Sequence, residues 1–173
     1  VTTGDICILV GCGQYMSDKV RKKNKHNIVI HESALPRGRG WSPLTWQILE
    51  GKNTIKISLL EVEEKIDSGD IYFQDKMQFK GHELIEELRK VQAEKSFDLC
   101  DRFIKDFSHS KINGKKQKGE ITYYDRRKPE DSELDIAKPL IDYFNLLRTV
   151  DNSRYPAYFY YKNQKYKLQI EKF

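Results

Sequence analysis

Two short apolar runs, Asp5-Ile6-Cys7-Ile8-Leu9-Val10 and Asn27-Ile28-Val29-Ile30-His31, stand on either side of a polar stretch near the start of the chain. Neither run alternates with polar residues, so each predicts a strand buried on both faces. Gly11-Cys12-Gly13 ends the first run in a tight turn, and Ser17 is placed to cap a short polar helix reaching about Lys25. Strand, helix, strand is the unit of a parallel sheet, so the expectation is an α/β fold with a mainly parallel sheet.

The rest of the chain extends this pattern. Residues Glu32 to Pro43 carry two Pro and two Gly and predict an irregular loop, followed by a short helix through Leu44, Trp46, Ile48 and Leu49 that Gly51 terminates. Trp46 fits the apolar face of that helix and is expected in the core. Ile55 to Leu60 and Ile71 to Phe79 read as two strands joined by the loop Lys65 to Asp70, a hairpin whose second strand alternates like an exposed edge. From His82 to about Phe107, apolar residues recur at helical spacing, giving one long amphipathic helix or two abutting ones. A polar loop from Lys111 to Lys128 is broken by Ile121-Thr122-Tyr123-Tyr124. A helix is expected over Pro139 to Val150, and a terminal hairpin over Tyr158 to Ile170 turning at Asn163-Gln164.

A chain of 173 residues supplies one ordinary core and a small appendage. The excess of 31 basic over 26 acidic residues is too small to argue for nucleic-acid binding, and it suits an anionic small substrate. Its basic runs include Arg21-Lys22-Lys23 and Arg126-Arg127-Lys128. Cys7, Cys12 and Cys100 are odd in number and contain no Cys-x-x-Cys pair, so buried free thiols are expected rather than a disulfide framework or a zinc knuckle. No apolar stretch reaches the length of a membrane span and no signal pattern opens the chain, which reads as a soluble cytoplasmic protein with no membrane partner.

Local chemistry points to one edge of the sheet. His31 ends a strand, and the carboxyl ends of strands in open α/β sheets are where ligands collect. The Gly/Pro loop after it presents backbone N–H groups and the guanidinium groups of Arg37 and Arg39 at the same edge. Asp67 and Asp70 flank Ser68-Gly69 in a second tight loop. Taken singly, a strand-end His is more often structural and such Asp residues more often form turns.

Together these residues resemble a family. His31-x-Ser33, Leu35-Pro36-Arg37, Arg39-Gly40 and Pro43, followed by Asp67-Ser68-Gly69-Asp70, look like the signature of the folate-dependent formyltransferases, whose best-known member formylates methionyl-tRNA. The preceding Val10-Gly11-Cys12-Gly13-Gln14 resembles that family's strand and turn, and Thr122-Tyr123 with Arg127 to Asp131 continues the likeness weakly. The resemblance implies a Rossmann-like core over residues 1–120, lacking part of the family's N-terminal half, and a helix and β-hairpin extension over 121–173. It implies 10-formyltetrahydrofolate as co-substrate, with Val10, Gly11, Gly13, Gln14, Leu35, Ile66, Asp67 and Asp70 around it, and no metal. His31 becomes the general base or proton relay, and Asp67 the carboxylate that orients it and stabilises its charge.

The family usually has an Asn two residues before the His, donating to the oxygen where negative charge develops, and this sequence has Val29 there. Asn27, Ser33, a backbone N–H or protonated His31 could replace that donor. Gly11-Cys12-Gly13 is not a dinucleotide fingerprint, since the third Gly and the distal acidic residue are missing.

A tRNA acceptor calls for a broad basic surface and a substantial C-terminal domain. The loop form Gly38-Arg39-Gly40-Trp41-Ser42-Pro43 instead resembles the branch that formylates nucleotide-linked amino sugars for surface polysaccharides. On that reading Glu32, Arg37, Arg39, Gly40 and Trp41 meet the sugar nucleotide, nucleic acid is no partner, and the Tyr-rich terminal hairpin covers the acceptor or joins a homodimer. The alternatives are a methionyl-tRNA formyltransferase-like enzyme acting on another amine and a non-catalytic folate-binding relative.

Overall fold

The structure, a computed structural model, describes residues 2–173. Strand β1 (Gly4–Leu9) runs parallel to β2 (Asn24–His31), with the short helix α1 (Asp18–Arg21) between them. The two-residue strand β3 (Arg39–Gly40) and helix α2 (Pro43–Leu49) then lead to β4 (Thr54–Glu61), which lies antiparallel to β2 and pairs as a hairpin with β5 (Ile71–Gln78). The sheet order is β1-β2-β4-β5. The α/β class holds, while the sheet is mixed: the parallel pairing is that of β1 with β2, and the other two are antiparallel.

β1 corrects the two-sided burial expected of its apolar run. It is an edge strand, with Ile8 at 38% exposure, and Val10 just beyond its end is at 56%. Among the described residues it pairs with β2 alone, so one side of its ladder and part of its surface stay open. The buried apolar run is that of β2, where Ile28 and Ile30 enter the core. Ser17 stands at the N-cap of α1 without a side-chain capping bond, and the helix stops at Arg21, earlier than expected, because β2 already begins at Asn24.

Residues 85–108 form the single long helix α3 (Ile85–Ser108). Its orphan N-terminal amides are partly met by Glu87, whose carboxylate accepts the Leu84 N–H at 2.8 Å. Leu88, Leu99 and Phe103 recur on one stripe and pack with Ile48, Ile55 and Ile57 into the main core. Trp46 is half-buried rather than in that core: its indole N–H donates to the Asp125 carbonyl at 2.8 Å and its ring stacks on Tyr124. Among the cysteines, Cys100 is buried, Cys7 half-buried and Cys12 exposed, all as free thiols.

Beyond α3 the chain returns to the sheet edge. Strand β6 (Tyr123–Tyr124) runs parallel to β3, so the loop after His31 is held by a segment far later in the chain. A 3-10 turn at Leu140–Tyr143 leads into α4 (Phe144–Thr149), shorter than the helix expected there. The hairpin β7 (Ala157–Tyr161) and β8 (Gln164–Leu168) turns at Lys162-Asn163, one residue earlier than expected, with both turn residues at positive φ. Leu146, Leu147, Val150 and Ala157 make a second small core.

The loop between β4 and β5 returns so close to the end of β4 that position 69 must be glycine. A Cβ at Gly69 would lie 1.9 Å from the Glu61 carbonyl oxygen, whereas one at Gly13 would meet nothing within 4 Å. Gly69→Ala is therefore expected to destabilise the fold by roughly 1–3 kcal/mol, read as a fall in the denaturant midpoint. Gly13→Ala, made as a control, should leave that midpoint unchanged.

Candidate active site

His31 ends β2 and is 5% exposed. Its Nε2 lies 2.7 Å from the Gly38 carbonyl. A carbonyl only accepts, so Nε2 carries the hydrogen and Nδ1 is the free position of the ring. Nδ1 faces Asp67 Oδ2 at 3.5 Å, an ion-pair distance longer than a hydrogen bond. The ring is thus oriented by the Gly38 carbonyl, and Asp67 supplies charge beside the other nitrogen.

Asp67 is itself tightly placed. Its backbone is left-handed, at φ 50, and its Oδ2 accepts the Gly40 N–H at 2.8 Å. The side-chain amide of Gln117 donates to the carbonyls of Asp67 and Gly69, each at 2.8 Å. Gln117 in turn accepts from Arg39, whose guanidinium is buried. Arg39 therefore braces the Asp67 loop instead of facing a substrate phosphate. Arg37 is exposed and paired with Glu120, also away from the site.

A cavity of about 350 Å³ opens in front of this pair. Its apolar wall includes Leu9, Val29, Ile30, Val62 and Ile66, and Gly11, Gly13, Gln14, Glu32, Gly40 and Trp41 also line it, with His31 and Asp67. Of the other positions expected to face ligand, Val10 points to solvent, Leu35 is buried outside the cavity lining, and Asp70 is engaged with Lys116. Of the candidate oxyanion donors, the side chains of Asn27 and Ser33 are not among the cavity's lining. The Asn27 amide donates to the Arg21 carbonyl, and Ser33 is fully buried behind the loop, its carbonyl accepting from Ser58. Asn27 and Val29 alternate along one face of β2, and the two-residue offset leaves Asn27 outside the cavity that Val29 lines.

A second cavity, of about 440 Å³, abuts the first and shares Gly11, Gly13, Glu32, Trp41, Ser42 and Gln92 with it. It is lined by Arg89 from α3, Arg126 and Arg127 after β6, and Arg154 in the turn after α4. The adjacent pair was visible in the sequence as a basic run, whereas Gln92, Gln117, Arg89 and Arg154 carried no local signal. The Arg89 guanidinium beside Asp151 holds that carboxyl down at about 2, and Asp151 also accepts the Ser153 and Arg154 N–H groups. Burial, together with the Glu50 carboxylate to which it donates, pushes the Tyr124 phenol above its ordinary value, so it stays a donor. Among the described residues no group of three or more His, Cys, Asp or Glu is placed to hold a metal ion, and no helix is long and apolar enough to cross a membrane.

The site is thus a His–Asp pair at a strand end of a mixed α/β sheet, facing a partly apolar cavity. The formyl transferase family model matches residues 2–99, and the chain belongs to that family. It is 26% identical over 170 residues to a methionyl-tRNA formyltransferase of Mycoplasma capricolum, covering 97% of this chain and 53% of that one. The chain thus spans about half the length of the curated relatives it matches. A 4-N formyltransferase from Francisella tularensis superposes with a TM-score of 0.77 at 25% identity, over 98% of this chain and 72% of that one. A sugar N-formyltransferase from a Shewanella species shares the fold, with a TM-score of 0.73 at 20% identity over 96% of this chain and 69% of that one.

Proposed function

We propose that the chain transfers a formyl group from 10-formyltetrahydrofolate to the amine of a nucleotide-linked amino sugar. The observation that carries this reading is the junction of the two cavities: His31 and Asp67 line one, cationic residues line the other, and Glu32 and Trp41 belong to both. The apolar wall of Leu9, Val29, Val62 and Ile66 suits a flat pterin, with Gly11 and Gly13 leaving its approach free of side chains. Bound there, the folate supplies an activated formyl carbon.

The residues of this chain then have separable tasks. Glu32, its carboxylate held by Gln92 at the junction, attracts the incoming ammonium. Once the ammonium has shed one proton to solvent, its nitrogen bonds to the formyl carbon. His31, locked by the Gly38 carbonyl, takes the second proton on Nδ1, and Asp67 at 3.5 Å stabilises the imidazolium. That proton passes to the folate N10 as its bond to the formyl carbon breaks. Gln14, whose side chain carries an amide donor and which lines the same cavity as Val29, is assigned in this reading to the negative charge that develops on the formyl oxygen. Residues 1–120 form the catalytic core in this reading, residues 121–173 an extension that completes the acceptor side.

The test is a mass measurement. The chain is mixed with 10-formyltetrahydrofolate and a panel of nucleotide-linked amino sugars, with methionyl-tRNA as a further arm. A gain of one formyl group on a sugar nucleotide supports the reading, and formylation of the tRNA alone overturns its acceptor. Folate binding without transfer to any amine marks a non-catalytic relative, the outcome that Val29 makes worth testing.

A further inference from the structure

We propose that the second cavity is a phosphate pocket, in which Arg126, Arg127 and Arg154 grip the diphosphate of the acceptor. The proposal deepens the acceptor reading above and rests on it only for the identity of the whole acceptor. Four guanidinium groups face this cavity against the two carboxylates of Glu32 and Asp151. Arg89 is neutralised by Asp151 at 2.6 Å. Among the described residues, no carboxylate oxygen lies within ion-pair distance of the other three.

The guanidinium groups of Arg126 and Arg127 are held in place, and the Arg154 backbone is fixed beside them. Arg126 lies 5.0 Å above the Trp41 ring and Arg127 5.7 Å above the Trp46 ring. Arg127 further donates to the Asp131 carbonyl and the Ser132 hydroxyl, neither of which cancels its charge. Arg154 sits in a turn that Asp151 closes by accepting the N–H groups of residues 153 and 154. Two oriented guanidinium forks from the segment after β6 and a third guanidinium from the turn after α4, all without carboxylate counter-charges, meet at one cavity and form the donor set that phosphate oxygens match. Trp41 and Tyr155 flank it with flat apolar surface for a base or a sugar. The cavity volume suits a nucleoside diphosphate, and the wall shared with the His31 cavity directs a sugar attached to the phosphates toward the transfer site.

The experiment is calorimetric titration of the chain, free of folate, with inorganic pyrophosphate and with uridine diphosphate. Saturable binding is expected, weakened about tenfold or more by Arg126→Met or Arg154→Met. Arg37→Met, which removes the same charge from the exposed pair with Glu120, should leave the affinity unchanged. Circular dichroism melts verify that each variant is folded. No saturable binding, or an equal loss in all three variants, overturns the proposal. So does displacement of pyrophosphate by tetrahydrofolate polyglutamate, which would give the arginines to the folate tail, or saturation by a tRNA acceptor-stem oligonucleotide but not by uridine diphosphate. Because no formyl transfer is measured, a chain that binds pyrophosphate yet formylates nothing sinks the transfer reading and keeps the pocket.

Discussion

Replacing His31 with alanine should lower kcat/KM for formyl transfer by about 10²–10⁴-fold, the range lost when a positioned proton-transfer group is removed. The side chain is 5% exposed and its Nε2 is tied to the Gly38 carbonyl, so the imidazole is fixed with Nδ1 beside Asp67. An alanine methyl cannot carry the proton that must leave the amine. On the proposed acceptor reading the loss is expected in kcat, with KM for a sugar nucleotide little changed, because the arginines proposed to hold its phosphates line the other cavity. Asp67→Asn keeps an acceptor for the Gly40 N–H but removes the charge beside Nδ1, and it should fall short of the alanine effect. An unchanged kcat in His31→Ala, with the variant folded, removes His31 from the chemistry.

The largest effect on stability is expected at Phe103. Its ring is fully buried between α3 and the sheet, 4.9 Å from the Tyr72 ring and 5.8 Å from His26, both edge to face. Truncation to alanine removes the transfer free energy of the ring, leaves a cavity under β5, and discards both aromatic contacts. The expected loss is about 3–5 kcal/mol, or a fall in Tm on the order of 10 °C for a chain of this size. Chemical denaturation with an unchanged slope checks it. Phe97, on the same helix and 63% exposed, should tolerate the same change with little loss.

Much of the candidate site was legible in the sequence because its parts are local. His31 at a strand end, the Gly/Pro loop behind it and the Asp67-Ser68-Gly69-Asp70 turn are short-range patterns whose residue types dictate their backbone. The apolar run of β2, the α2 helix and the β4–β5 hairpin follow from periodicity in the same way. The same signal misled at β1, since an apolar run reports what a strand can bury and not whether a neighbour covers it. It misled at Trp46 as well, where an indole N–H that finds the Asp125 carbonyl draws the ring to the rim of the core.

The sequence by itself determined the α/β class, the pairing of the first two strands, the His31 and Asp67 loops and the family. These rest on hydrophobic period, turn chemistry and short motifs, all of which act between near neighbours. Tertiary structure alone decided the rest. It turned Arg39 inward onto Gln117, withdrew Asn27 and Ser33 from the cavity, set β4 antiparallel to β2, and gathered Arg89, Arg126, Arg127 and Arg154 around a second cavity. Each of these depends on how segments distant in the chain pack against one another. That packing is a property of the whole chain, and no local pattern in the sequence records it.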